Sequence, residues 1–132
     1  RLTGTDCRPG AIRAARAGEY PADAVGELHA PLAQACFEHG GGRVRVRQHL
    51  RAACAWAVRD AFDPHGADPH DVILCRNLAI YLSPEGSARL WSHLAERLRP
   101  GGLLVVGRAE RAPAELFWRV GPCLYERKGA RS

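Results

Sequence analysis

Methionine is absent from this 132-residue sequence, and Lys128 is its only lysine, so nearly all of its 19 basic side chains are arginines. Translation begins with methionine, so its absence indicates that the chain is the C-terminal part of a longer protein or has been trimmed. Long apolar runs are also missing: none approaches the roughly 20 residues of a membrane-spanning helix, and no secretory signal pattern is present. The sequence therefore predicts a globular chain without membrane insertion, of a size that forms one core.

Cysteine pairs that bind metal are lacking. The five cysteines are odd in number and widely spaced, no Cys-x-x-Cys occurs, and the six histidines are scattered. Cys54 and Cys75 fall in apolar runs, where a thiol behaves as a small hydrophobic side chain. The pattern predicts a reduced, cytoplasmic protein without a structural metal.

The positive charge of the chain is not concentrated in one segment. The formal net charge is +5, and the basic residues are spread along the sequence. The excess could steer acidic partners toward the protein, or it could reflect the arginine bias of a genome rich in G and C. A nucleic-acid-binding module would need clustered arginines beside exposed aromatics. Instead, Trp56, Trp91 and Trp118 lie in strand or helix runs that we expect to be buried, so no nucleic-acid partner is expected.

The first half of the sequence alternates between strand and helix patterns. RLTGTD is typical of a short strand ending at Asp6, and RPGAIRAARAG predicts a helix that Gly18 terminates. A second helix is predicted from about residue 31 to 38, with Phe37 on its apolar face. RVRVR alternates strictly and predicts a half-exposed strand, and AWAVRDAFD predicts a strand ending near Asp60.

The second half contains the strongest apolar runs. DVILC is typical of a strand buried on both faces, and LLVVG predicts another buried strand. Between them, Ser83 is expected to cap a helix that starts at Pro84 and carries a leucine stripe at helical spacing. ELFWRVG and PCLYERK predict an antiparallel closing pair. Together the patterns predict an α/β fold with a mostly parallel sheet and an antiparallel edge.

Polar side chains follow three of the predicted strands. Asp6 and Asp60 end two of them, and Asn77 follows DVILC, with Tyr81 one helical turn later. Ligands of open α/β sheets bind beyond the carboxyl ends of the strands. A carboxylate there can accept both hydrogens of a ribose diol, and an Asp or Asn can accept the amino group of adenine, so the spacing fits an adenosine ligand. Each residue also has a purely structural interpretation: a helix cap for Asp6, a turn for Asp60, an Asx-turn for Asn77 and a packing aromatic for Tyr81.

The span DVILCRNLAIYLSPEGSARLWSHLAERLRPGGLLVVG, residues 71–107, closely resembles the chemotaxis-receptor methyltransferases, the CheR family. That family's pattern combines a Cys-Arg-Asn run, an Ile-Tyr pair, a Pro-Glu helix start and a Leu-Pro-Gly-Gly turn. TGTD, ARAGEYP, VRDAFDP and GPCLYERK are similar to further family segments, so the resemblance covers most of the chain. It implies a partial Rossmann-like methyltransferase domain over residues 1–128, with a small antiparallel insertion at about 40–56 and a tail at 129–132.

The resemblance implies methyl transfer from S-adenosylmethionine to glutamate side chains of bacterial chemoreceptors in chemotaxis adaptation. As cofactor-binding residues it implies Asp6 at the ribose, Asp60 and Ala61 at the adenine, and Asn77 and Leu78 near the methionine part. It implies Tyr81 as the catalytic residue, close to the transferred methyl group. The insertion would match the family's small antiparallel insertion, which in some members docks a receptor's C-terminal peptide.

The sequence departs from the family pattern at several points. The family's glycine-rich first strand-turn and its N-terminal helical domain have no counterpart before Asp6. Because that strand lies mid-sheet, its loss is expected to split the sheet. GRAE at 107–110 stands where the family often has Gly-His-Ser-Glu, LA follows Asn77 in place of Val-Leu or Val-Met, and Asp60 replaces the usual Asn. An alternative function is therefore a non-catalytic, degenerate methyltransferase-fold domain that serves interaction.

Overall fold

The computed structural model describes residues 1–63 and 68–129, which fall into two compact units divided after Asp63. The first unit contains β1 (Leu2–Asp6), α1 (Pro9–Ala17), β2 (Glu19–Pro21), a 3₁₀ helix (Ala22–Val25), α2 (Ala30–Cys36), β3 (Phe37–Gly40), β4 (Arg43–Val46), α3 (Gln48–Ala52) and β5 (Cys54–Val58). The second unit contains β6 (His70–Cys75), a 3₁₀ helix (Ala79–Tyr81), α4 (Pro84–Arg97), β7 (Leu98–Val106), β8 (Phe117–Arg119) and β9 (Leu124–Arg127).

A parallel strand pair forms the centre of the first unit. β1 and β5 are hydrogen-bonded in parallel, with Asp6 opposite Val58. α1 packs against both strands and buries Ile12, which is 2% exposed. The helix ends as predicted: Gly18 takes a left-handed backbone with φ of 62°, which a residue without a Cβ adopts at little cost, and its N–H donates to Ala14 O.

A small antiparallel sheet with the strand order β2-β4-β3 completes the first unit. Its central strand is the predicted RVRVR segment, in which Val44 is 1% exposed. The predicted helix over residues 31–38 is wrong at its end, because α2 stops at Cys36 and Phe37 begins β3, opposite Val46. Cross-strand pairing here outweighs the local helical pattern.

The second unit is a four-stranded sheet with α4 packed against β7. The strand order is β6-β7-β9-β8; β6 and β7 are parallel, and the other pairs are antiparallel. Ser83 caps α4 as predicted, its Oγ accepting from Gly86 N at 3.1 Å. The leucine stripe is confirmed as core, since Leu90, Leu94 and Leu98 are 0%, 8% and 0% exposed. Each such burial contributes about 1.5–3 kcal/mol before entropic costs.

Two expectations of burial are wrong. Among the described strands β6 pairs only with β7, so it is an edge strand, and its Val72 and Leu74 are 47% and 70% exposed. A run of apolar residues does not by itself distinguish an edge strand from a central one. Trp118 is 55% exposed rather than buried, and Lys128 Nζ lies 3.6 Å from its ring centroid in a cation–π contact. Trp91, in contrast, is buried as expected.

The predicted α/β class is confirmed, with parallel pairs, an antiparallel closing pair and a small antiparallel sheet. The parallel strands fall into two separate sheets. The prediction of a mostly parallel sheet is wrong in its proportions, because four of the six described strand pairs are antiparallel. The small sheet and the closing strands supply these four pairs. Of the predicted tail 129–132, residues 130–132 lie outside the described residues. No helix in the described part of the chain is long and apolar enough to cross a membrane.

Candidate functional site

Asp6 is an ionised acceptor at the carboxyl end of β1. Its side chain is 30% exposed; Oδ1 accepts from the backbone N–H of Arg8 at 2.8 Å and from Arg8 Nε at 3.0 Å, and Oδ2 accepts from Nη2 at 3.0 Å. The side-chain hydrogen bonds of Arg8, followed by its backbone one, lower the pKa of Asp6 to about 2. The N-cap of α1 is Arg8 and has no side-chain cap, so Asp6 does not act as the helix cap.

Asp60 is the first residue of a tight turn just beyond β5. Its Oδ1 accepts from Phe62 N at 2.9 Å, which is the turn interpretation of this residue. Because β1 and β5 are parallel and Asp6 lies opposite Val58, Asp6 and Asp60 both lie at the carboxyl end of this strand pair. Ala61 follows Asp60 and is half-buried.

The loop 76–82, which follows β6, carries the remaining predicted residues. Asn77 has a φ of 57° and is the one non-glycine residue with positive φ in residues 1–63 and 68–129. Asparagine is among the few residues that adopt this left-handed conformation routinely. Leu78 is half-buried. Tyr81 ends the 3₁₀ helix, and it is 80% exposed, so it is not a packing aromatic.

Glu110 anchors this loop, although the sequence patterns did not single it out. It is 3% exposed; Oε2 accepts from Asn77 N and Gly107 N, both at 2.7 Å, and Oε1 accepts from Leu78 N and Ala79 N, both at 2.8 Å. Burial raises the pKa of Glu110, but the four backbone N–H bonds favour the carboxylate, and the net result is a lowered pKa. Glu110 is therefore a buried anion held by four peptide groups.

Gly107 gives the loop room to reach Glu110. A Cβ at this position would overlap with Asn77 Oδ1 and lie 2.9 Å from Glu110 Oε2, closer than real contacts allow. The two segments meet because β6 and β7 are parallel, with Cys75 opposite Val106, so that both continue beyond the same sheet edge. One sequence signal could have found Glu110: it is an acidic residue shortly after a strand, and it ends the GRAE tetrapeptide.

The described residues indicate neither a metal centre nor an activated thiol. No group of His, Cys, Asp and Glu side chains suited to a metal ion occurs within residues 1–63 and 68–129. All five cysteines are free thiols. Burial, with a smaller contribution from Glu110, raises the pKa of Cys75 to about 11, so this thiol stays protonated at neutral pH.

Each unit thus presents polar groups where a parallel strand pair ends. In the first unit Asp6 and Asp60 lie at the same end of the parallel strand pair, and the second unit presents Asn77 and Tyr81 on one anchored loop. Carboxylates at such edges can accept hydrogen bonds from hydroxyl and amino groups, and the exposed phenol can donate one. Each of the two edges, taken by itself, suits binding of a polar ligand.

A family model described as "CheR methyltransferase, SAM binding domain" matches residues 1–119 of the chain. Over 112 residues, the chain is 30% identical to a chemotaxis protein methyltransferase of Vibrio parahaemolyticus, covering 83% of this chain and 41% of that protein. Over 133 residues, it is 29% identical to chemotaxis protein methyltransferase 2 of Pseudomonas aeruginosa, covering 95% of this chain and 48% of that protein. The chain therefore spans less than half the length of these relatives.

A solved structure supports the fold. The N-methyltransferase NodS from Bradyrhizobium japonicum WM9 superposes with a TM-score of 0.51 at 16% identity, covering 98% of this chain and 74% of that one. At this identity the likeness concerns the fold alone, and it confirms the predicted methyltransferase-type architecture. The description of the matched family confirms the predicted cofactor, S-adenosylmethionine.

Proposed function

The chain belongs to the CheR methyltransferase family, and we propose that it is the cofactor-binding part of an enzyme that methylates glutamate side chains of chemoreceptors. One observation carries the proposal: polar groups of both units lie where parallel strands end, with an ionised Asp6 beyond β1 and the anchored loop 76–82 beyond β6. That placement is the one used by ligand sites of open α/β sheets.

The side chains of the first unit fit the adenosine part of S-adenosylmethionine. A carboxylate has about four lone-pair positions, and Arg8 occupies three of those on Asp6. The Arg8 side chain is 77% exposed, and ion pairs that solvent screens in this way contribute little to stability. Ribose hydroxyls can therefore replace the guanidinium at Asp6, while Asp60 and Ala61 would lie at the adenine.

In the second unit, Asn77 and Leu78 would line the cofactor near its methionine part. The Asn77 side chain reaches over Gly107, and the left-handed backbone at Asn77 turns the chain sharply there. Tyr81 would act as the catalytic residue, because its exposed ring can approach a bound reactant directly. Its hydroxyl can donate a hydrogen bond to the acceptor carboxylate and align it.

The proposed chemistry needs no general base. When bound, S-adenosylmethionine supplies a methyl group on a positively charged sulfur. A glutamate carboxylate has a pKa of about 4.3 and is already ionised at neutral pH. The chain's own contribution is therefore alignment of the acceptor and exclusion of water, which suits a residue set of Asp, Asn and Tyr.

The proposed partners are acidic segments of chemoreceptors. The net charge of +5 favours encounter with them at ordinary ionic strength. We assign docking of a receptor's C-terminal peptide to the predicted insertion at about residues 40–56, in which strand β4 carries the exposed arginines Arg43 and Arg45. Because those receptor segments face the cytoplasm, the proposal places the protein there.

A methyl-transfer assay tests the proposal. The full-length protein is incubated with tritiated S-adenosylmethionine and the cytoplasmic fragment of a chemoreceptor from the same genome. We expect base-labile label on the fragment, as methyl esters give, and its loss when the acceptor glutamates are replaced by glutamine. Cofactor-independent association with the fragment and no label would instead favour the alternative, a non-catalytic interaction domain.

A further inference from the structure

We infer that Glu110 is a positioning residue of the proposed methyl transfer. Its buried carboxylate fixes the backbone of residues 77–79 and thereby sets where the Asn77 side chain and the Tyr81 ring stand. The inference rests on the proposed function, because it concerns the same site.

The carboxylate of Glu110 satisfies three consecutive backbone donors of the loop. The N–H groups of Asn77, Leu78 and Ala79 all donate to it, at 2.7–2.8 Å, across a separation of 31–33 residues. Buried N–H groups without a partner are strongly unfavourable. The three consecutive N–H groups of the loop therefore depend on a single side chain from another segment.

The backbone conformation at Asn77 adds to this dependence. A left-handed backbone at a non-glycine residue costs free energy and persists only where surrounding contacts determine it. At Asn77 the determining contacts are its own N–H bond to Glu110 and the two that follow it. Without the carboxylate, we expect the loop to relax toward ordinary backbone angles and carry the Asn77 side chain away from Gly107.

The effect of Glu110 extends to Tyr81 through the 3₁₀ helix. Ala79 begins that helix; its N–H is held by Glu110 and its carbonyl accepts from Ser87 Oγ at 3.1 Å. Tyr81 N in turn donates to Leu78 O at 3.1 Å. The Tyr81 ring is exposed, but hydrogen bonds hold the backbone of the 3₁₀ helix at Ala79 and at Tyr81.

The carboxylate of Glu110 offers no free acceptor position to a ligand. Glu110 is 3% exposed, and each of its oxygens already accepts two backbone N–H groups. It acts only through the loop, and this distinguishes it from Asp6 and Tyr81.

The test compares Glu110→Gln and Glu110→Asp with Glu96→Gln, a matched change at an exposed position of α4, all in the full-length protein. Affinity for S-adenosylhomocysteine is measured by calorimetry, and kcat is measured at saturating cofactor per folded molecule. We expect Glu110→Gln to weaken affinity and lower kcat by about 10–100-fold each, because misplacement by about 1 Å has effects of that size. Glu110→Asp retains the charge and should recover part of both losses, and Glu96→Gln should match wild type.

The outcomes separate this inference from the proposed function. If wild type binds and methylates and Glu110→Gln does so equally well per folded molecule, the inference is wrong and the function stands. If wild type neither binds nor methylates, both are wrong.

Hydrogen exchange in the wild type decides the case in which Glu110→Gln does not fold. We expect the amides of residues 77, 78 and 79 to exchange at least about 100-fold more slowly than in an unstructured peptide. Exchange at the unstructured rate would show that the carboxylate does not hold the loop, and it would overturn the inference.

Discussion

Replacing Glu110 by glutamine should lower the free energy of unfolding of the second unit by about 2–6 kcal/mol at pH 7. The wild-type carboxylate accepts four backbone N–H bonds at 2.7–2.8 Å. Glutamine keeps one oxygen, which can accept two of them, and turns an NH₂ donor toward the other two. Each buried N–H left without an acceptor costs about 1–3 kcal/mol, and two are left.

The stabilisation should also depend on pH in a defined direction. The pKa of Glu110 is lower in the folded protein than its ordinary value. Its contribution is therefore complete above the pKa of an unfolded glutamate, about 4.3, and it is lost as the pH falls through the lower pKa of the folded state. The difference in stability between wild type and Glu110→Gln should consequently shrink below about pH 4.

Urea unfolding followed by tryptophan fluorescence measures both effects, since Trp91 is buried in the second unit. Glu96→Gln serves as the control for an exposed glutamate, and it should change the midpoint little at either pH. An unchanged midpoint for Glu110→Gln at pH 7, or a loss of equal size at pH 7 and pH 3, would refute the reasoning.

Three further substitutions test other parts of the account. Asp6→Ala should weaken binding of S-adenosylhomocysteine by about tenfold or more, because a charge-assisted hydrogen-bond acceptor is lost. The calorimetric control is Asp23→Ala, at an exposed position of the same unit. Equal affinities of the two variants for S-adenosylhomocysteine would show that Asp6 does not bind the cofactor. Tyr81→Phe should lower kcat more than cofactor affinity, because the exposed hydroxyl is lost and the ring kept; unchanged turnover in the methyl-transfer assay would exclude a catalytic role. Gly107→Ala should destabilise the second unit by about 1–3 kcal/mol, because the added methyl group would be overpacked against Asn77 and Glu110. Urea unfolding measures this loss, and Gly129→Ala is the control, since its Cβ would meet nothing closer than 3.9 Å. Equal unfolding midpoints for the two variants would contradict the close approach at Gly107.

Local patterns were sufficient for elements whose boundaries are set by local chemistry. Ser83 accepts a hydrogen bond from an N–H three residues ahead, and Gly18 supplies a left-handed C-cap, so both helix limits could be predicted. The closing antiparallel pair was equally accessible from its two apolar runs.

Features that depend on distant partners were not accessible in this way. Phe37 lies in a strand rather than in the predicted helix because it pairs with Val46. The exposure of Leu74 depends on which strands flank β6. Glu110 was missed for the same reason: its partners at 77–79 lie more than 30 residues away, and only the parallel pairing of β6 with β7 brings them together.

The central claim is that this chain binds S-adenosylmethionine for methyl transfer, and calorimetric titration with S-adenosylhomocysteine tests it most directly. The full-length protein and the 132-residue chain are titrated side by side. The account predicts binding by the full-length protein with a dissociation constant of about 1 μM to 1 mM, and binding by the short chain as well would show that residues 1–132 suffice. Absence of binding by the full-length protein would contradict the account and favour an interaction domain that has lost the cofactor.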